Sequence, residues 1–142
     1  MITYKDLNEQ NHHITELSNV LNYLFKDRSM CDTGSCCELF NNYVNLVNKH
    51  IDTVDKNMYS DLLGSPDEKH KNVAKNFMSG SVEIKKILKE FSKEWCPIKN
   101  KHELKIKDHQ AFLEAIEELF EIVLKRILDE TEHLYPLVRS MK

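Results

Sequence analysis

The chain has 142 residues, with only three glycines and three prolines, and a formal net charge of -3. Its length fits one ordinary domain, and the scarcity of turn-forming residues argues against all-β and α/β folds and favours a single all-α domain over residues 1–142. The small charge gives no reason to expect nucleic acid as a partner, and the lack of a secretion signal or a membrane-length apolar segment predicts a cytoplasmic protein without a membrane span.

Two helices are predicted in the first half of the chain, because apolar residues recur there at three- and four-residue intervals. The first should run from about Leu7 to Lys26. The segment Asp32-Thr33-Gly34-Ser35 has the composition of a turn, and a second helix is predicted after it, ending at about Leu63.

Two more helices are predicted in the second half. Gly64-Ser65-Pro66 is the clearest helix break, with a glycine after one helix, a serine as the cap of the next and a proline in its first turn. The third helix should continue to about Cys96, and the fourth follows Lys107, with Pro136 expected to kink or fray its last turn. Because the connections are short, the predicted fold is an up-down-up-down antiparallel four-helix bundle.

Four residues that can bind a metal, His13, His50, His70 and Glu130, are predicted to face the core at one end of this bundle. Each projects within roughly 60° of the centre of the apolar face of its helix. Imidazoles and a carboxylate in a dry interior are costly unless they bind one another or a cation, and they are common ligands of iron, zinc and manganese. We therefore predict a metal site. The alternative is that each histidine is a core residue bonded to a backbone carbonyl.

The spacing of these residues resembles that of the hemerythrin-like, or HHE cation-binding, family. His50 lies nine residues before Tyr59, and Glu130 lies five residues before the pair Tyr135-Pro136. The resemblance covers essentially the whole chain. It implies a four-helix bundle in which His13 and His70 correspond to ligands on the first and third helices, with iron as the cofactor and a diatomic molecule as a further ligand.

Two positions depart from the family pattern. Val54 stands where a bridging glutamate is expected, and Arg126 stands where a histidine is expected. A complete di-iron centre is therefore not predicted, and one iron ion held by the four residues above is the preferred arrangement. Asp55 could replace the missing glutamate only if the backbone shifted. Alternatively, the guanidinium of Arg126 takes the place of one metal ion and pairs with Glu130, four residues later on the same helix.

Two functions stay open from the sequence. One is a metal-binding protein that binds or senses oxygen, nitric oxide or iron; the other is a metal-free bundle that acts as an interaction or oligomerisation module. No motif for hydrolysis or group transfer occurs, so we do not expect an enzyme. The four cysteines are predicted to be thiols, with zinc binding or redox chemistry as the alternative. They are Cys31, Cys36, Cys37 and Cys96.

Overall fold

All the regular structure described in this computed structural model is helical, which confirms the all-α prediction for residues 3–27, 29, 34–95 and 109–141. Four of the helices are long, and a π-helical turn joins the last two. The elements are α1 (Tyr4–Lys26), α2 (Gly34–Asn57), α3 (Ser60–Leu63), α4 (Glu68–Trp95), α5 (His109–Asp129), the π-helical turn (Glu130–Leu134) and α6 (Tyr135–Ser140).

Helix α1 begins three residues before the predicted Leu7 because a capping box closes its first turn. The Asp6 backbone N–H donates to Thr3 Oγ1 over 3.1 Å, and the Thr3 N–H donates to Asp6 Oδ2 over 3.0 Å. These two bonds satisfy amide groups that a helix start otherwise leaves without partners. The end of α1 at Lys26 agrees with the prediction.

The second predicted helix is interrupted. Helix α2 ends at Asn57, and the short α3 begins at Ser60. The two residues between them, Met58 and Tyr59, are 5% and 2% exposed. The break is therefore held by burial of both side chains, and it turns the Tyr59 hydroxyl toward the interior polar groups described below.

Helix α4 begins at Glu68, two residues later than predicted. Asp67 caps its first turn, since Asp67 Oδ1 accepts from the Lys69 N–H over 2.9 Å. Ser65 is not the cap: its Oγ accepts from the Asp67 N–H over 3.1 Å and lies 2.9 Å from His70 Nδ1. This loop therefore holds His70 at the start of α4.

The kink expected at Pro136 takes the form of the π-helical turn Glu130–Leu134, after which Pro136 lies in the first turn of α6. Proline cannot donate to the carbonyl four residues before it, and its ring crowds that carbonyl. One wider turn removes this conflict and lets the helix continue to Ser140. Tyr135 and Val138 are thereby buried.

The long helices contact one another in pairs: α1 packs against α2 and α5, and α4 packs against the same two helices. His109 joins the start of α5 to the end of α1, because its Nε2 donates to the Phe25 carbonyl over 2.7 Å. Among the described helices, none combines the length and apolar character needed to cross a membrane.

Two apolar clusters form the core, one toward each end of the long helices. The larger is rich in aromatic rings that contact each other edge to face or at a tilt, including Phe25, Phe40, Phe91 and Phe112. The smaller contains Leu7, Val54, Met58, Tyr59, Leu62, Ala74, Leu134, Tyr135 and Val138. The buried polar residues include His50, Ser81, Arg126 and Glu130. We call these four, together with Gln10, Tyr59 and Tyr135, the polar layer.

Candidate functional site

Glu130 lies at the centre of the polar layer and is fully buried. Its Oε1 lies 2.6 Å from His50 Nε2 and accepts from the Tyr135 hydroxyl over 2.9 Å, and its Oε2 accepts from Arg126 Nε over 2.7 Å. Burial alone would raise the pKa of Glu130, but hydrogen bonding and electrostatic attraction from His50 and Arg126 outweigh it and lower that pKa. Glu130 is therefore held as a carboxylate.

Arg126 lies on the same helical face as Glu130, one turn earlier, and is only 7% exposed. Its Nη2 donates to the Tyr59 hydroxyl over 3.1 Å and to Ser81 Oγ over 2.9 Å, and its Nη1 donates to the Phe77 carbonyl over 2.9 Å. The guanidinium also lies 4.9 Å from the centre of the Phe77 ring, within the range of a cation–π contact. Arg126 thus ties α5 to α4 and to the break after α2.

His50 connects Glu130 to α1. Its Nδ1 lies 2.8 Å from Gln10 Oε1, while its Nε2 makes the contact with Glu130. The side chain is 2% exposed. Both ring nitrogens are hydrogen-bonded, so neither has a lone pair available to a metal ion unless one of these contacts is first broken.

Neither Val54, which stands in place of the bridging glutamate, nor its neighbour Asp55 makes a hydrogen bond to Glu130. Val54 is fully buried in the smaller apolar cluster. Asp55 points to α4, where its Oδ1 accepts from Ser81 Oγ over 2.8 Å. Since Ser81 also accepts from Arg126, Asp55 supplies a second carboxylate near the guanidinium through one intervening hydroxyl.

The four predicted ligands do not converge. The structure brings His50 and Glu130 together, but His13 is exposed at the surface, so the inward orientation predicted for it is wrong. His70 is partly buried, and its partners are local: Ser65 Oγ at 2.9 Å and Asp67 Oδ2 at 3.8 Å. Neither His13 nor His70 has a contact with Glu130.

The error at His13 comes from the choice of the buried face of α1. The three- and four-residue spacing of apolar residues places Val20 on the apolar stripe of this helix, yet it is 48% exposed, whereas the polar Asn11 and Ser18 are buried. The buried face is therefore rotated from the predicted one, and His13 lies about 120° from its centre. On this face Gln10, three residues before His13, is the side chain that reaches His50.

The polar layer as arranged does not fit a metal ion. Both oxygens of Glu130 and both nitrogens of His50 bind other side chains, and a guanidinium, which repels cations, lies 2.7 Å from the carboxylate. Within the described ranges, no group of three or more histidine, cysteine, aspartate or glutamate side chains is placed to hold a metal. Metal binding by His13, His50, His70 and Glu130 stays a prediction. The predicted pairing of Arg126 with Glu130 is confirmed.

Two hydrogen-bonding partners in this layer are not predicted from the sequence: Gln10 and Ser81. Ser81 could have been found, because it occupies a core position of α4 between apolar turns and a buried serine requires a partner. Burial raises the pKa of Tyr59 and of Tyr135, which keeps both phenols protonated as donors or acceptors.

The cysteines give a mixed outcome. Cys36 is a buried thiol, as predicted. Cys37 is disulfide-bonded, so the prediction of thiols is wrong for this residue. Cys31 and Cys96 lie outside the described residues.

Comparison with known proteins gives no match to this chain among family models, curated proteins or solved structures.

Proposed function

We propose that this chain is a hemerythrin-like four-helix bundle in which Arg126, in place of a metal ion, is the cation that neutralises the interior carboxylate, and that it acts as a binding module. The observation that carries this proposal is the buried contact of 2.7 Å between Arg126 Nε and Glu130 Oε2. A guanidinium offers a fixed set of five N–H donors, and here four of its hydrogen bonds join three separate parts of the chain. This is the joining role that a metal plays between helices.

The up-down-up-down arrangement is part of the proposal. It is supported by the helix pairs in contact and by the bond from His109 to the Phe25 carbonyl, which brings the start of α5 to the end of α1. The contact of Glu130 with His50 joins the second half of the α5–α6 helix to the second half of α2. The first of these contacts is produced by antiparallel neighbours, and the second by the diagonal pair α2 and α5, which run in the same direction in such a bundle.

A binding role, without catalysis, is supported by the state of the polar groups and by the surface. In the polar layer the charged groups bind one another, which stabilises the interior but leaves no activated nucleophile. At the surface Tyr23 and Val82 are 79% and 71% exposed. They are the most exposed large apolar side chains of α1 and α4, and are the positions at which contact with a protein partner is to be tested.

Iron binding is the second candidate function, and the contact between His50 and Glu130 favours it, because two of the four predicted ligands already touch. It requires His13 and His70 to turn inward and Arg126 to leave the carboxylate. Such a site would bind or sense oxygen, nitric oxide or iron.

Elemental analysis of the protein purified from iron-supplemented cells separates the two candidates. Our proposal expects iron well below one atom per chain and no change in melting temperature with a chelator, since only a bound ligand stabilises the native state. Iron near one atom per chain would refute the proposal in favour of the single-ion site, and near two would mean that another side chain replaces a lost ligand.

A paired substitution tests the alignment on which the proposal rests. Arg126→His together with Val54→Glu restores the family's ligands, so it should raise iron loading and give the absorption of a bridged di-iron centre. Arg126→His alone is the matched control, because it removes the guanidinium without supplying the bridge. Equal iron content in the wild type and the paired variant would count against the resemblance.

A further inference from the structure

A groove of about 590 Å³ runs along the surface between α4 and α5. This volume is in the range of small-molecule sites in proteins. Its inner wall is largely apolar, formed by one aromatic and three aliphatic side chains: Phe77, Ile84, Ile87 and Ile122. Such a wall suits the apolar body of a ligand, because contact with it removes apolar surface from water.

Gly80 opens the inner end of the groove onto Arg126. A Cβ atom at this position would lie 3.0 Å from Arg126 Nη1, closer than side-chain atoms ordinarily approach. Glycine in the middle of a helix costs about 1 kcal/mol relative to alanine, so the position has a local disadvantage that the space beside the guanidinium can explain. Both Gly80 and Arg126 line the groove.

One N–H of Arg126 is available at this opening. Of its five N–H groups, Nε binds Glu130, both hydrogens of Nη2 bind Tyr59 and Ser81, and one hydrogen of Nη1 binds the Phe77 carbonyl. The second Nη1 hydrogen has no partner among the residues that the structure describes. Since Arg126 lines the groove, an acceptor on a ligand bound there can reach this donor.

The mouth of the groove carries charges of both signs. Lys125 and His133 lie beside Glu83 and Asp129 along its lining. The attraction for a negatively charged ligand therefore comes from Arg126 and Lys125, and not from the mouth as a whole. An anionic acceptor also makes a stronger hydrogen bond to a guanidinium than a neutral one does.

From these features we propose that the groove binds a small amphipathic monocarboxylate, with its carboxylate on Arg126 Nη1 beside Gly80 and its apolar tail along the isoleucine wall. The proposal rests on the part of the proposed function that keeps Arg126 in the polar layer. Metal analysis tests that part separately, so a metal-free protein that fails to bind carboxylates refutes the groove site alone.

Titration of the ¹⁵N-labelled protein with sodium octanoate, followed by amide NMR, tests the site, and 1-octanol is the matched neutral probe. Octanoate should shift the Gly80 amide and its neighbours on α4, and should bind about tenfold or more tightly than octanol, because a neutral hydroxyl is a weaker acceptor for the guanidinium than a carboxylate is. Equal affinities for the two probes, or octanoate shifts confined to other surfaces, would overturn the proposal.

Two variants and a control make the result specific. Gly80→Ala places a methyl group against Nη1 and should weaken octanoate binding at least tenfold. Lys125→Glu, at the exposed mouth, should weaken octanoate severalfold and leave octanol unchanged. Ser79→Ala, exposed on the same helix and outside the groove, should bind octanoate as the wild type does. Wild-type affinity for octanoate in both Gly80→Ala and Lys125→Glu would refute the proposed site. Because Lys125 is exposed, its variant tests the effect of charge without disturbing the interior.

Discussion

Replacing Glu130 by glutamine should destabilise the protein strongly, because it removes the negative charge that faces a buried guanidinium. The carboxylate is fully buried and takes part in three hydrogen bonds, of 2.6, 2.7 and 2.9 Å. The amide group of glutamine would bring a donor to one of these acceptor positions and would leave Arg126 without its direct counter-charge. Breaking a buried ion pair from one side costs about 3–5 kcal/mol.

Urea unfolding at pH 7, followed by circular dichroism, measures this loss. For a domain of this size about 3 °C of melting temperature accompanies each kcal/mol, so the thermal midpoint should also fall by roughly 10–15 °C. Glu121→Gln is the matched control, since Glu121 is exposed on the same helix, and its effect should stay within about 0.5 kcal/mol.

A double-mutant cycle with Arg126→Met identifies the partner of the carboxylate. If Arg126 is that partner, the double variant should be more stable than the sum of the two single effects predicts, by about 1–3 kcal/mol. Additive effects within about 0.5 kcal/mol, or a Glu130→Gln variant that loses less than about 1 kcal/mol, would refute the structural role given to this ion pair.

Three further predictions concern the same layer. Folding lowers the pKa of Glu130, so its ionisation stabilises the protein above its ordinary pKa of 4.5. This contribution disappears as the pH falls through the lower pKa of the folded state. The difference in unfolding free energy between wild type and Glu130→Gln should therefore be constant from pH 7 to about 5 and shrink in acid. A gap that widened in acid would contradict this sign. Tyr135→Phe should cost about 1.5–3 kcal/mol in urea unfolding because it removes a donor to a carboxylate, whereas Tyr23→Phe, at a 79% exposed site, should cost almost nothing. Dialysis against a chelator should leave both the melting temperature and the far-ultraviolet spectrum unchanged, and a fall in either would point to a bound metal.

The sequence was sufficient to predict the interior placement of His50 and Glu130 and the pairing of Arg126 with Glu130. The last follows from a spacing of four residues on one helix, a local relation that does not depend on how the helices pack. The end of α1 at Lys26 was predicted from the polar segment that follows it, and the starts of α1 and α4 were predicted to within three residues.

The placement of His13 could not be obtained in the same way, because the buried face of α1 includes polar residues. Periodicity counts apolar side chains, so Val20 outweighed Asn11 and Ser18 in locating the face, although the structure exposes the first and buries the other two. Which helical face is buried depends on contacts with residues far along the chain, and those contacts are not encoded in local spacing.

The break after Asn57 was missed for a related reason. Met58 and Tyr59 fit an apolar stripe, and no glycine or proline marks an end to the helix there. Burial of both side chains compensates for the two residues without helical structure. By contrast, the disturbance at Pro136 was predictable, since proline acts through its own ring and missing N–H, although the π-helical form of the turn was not.

The cation beside Glu130 is a side chain, so it is part of the polypeptide from the moment of synthesis. A metal site passes through an empty form and depends on supply, delivery and the oxidation state of the ion, whereas the guanidinium of Arg126 is present in one copy per chain as soon as the chain is synthesised and stays charged throughout the physiological pH range. In the metal-free bundle that we propose, folding and maturation are therefore a single event. The contacts of Arg126 with Glu130, Ser81 and Tyr59 would form at the same rate in iron-poor and iron-rich cells, and neither oxidants nor competing metals could remove the charge that holds them.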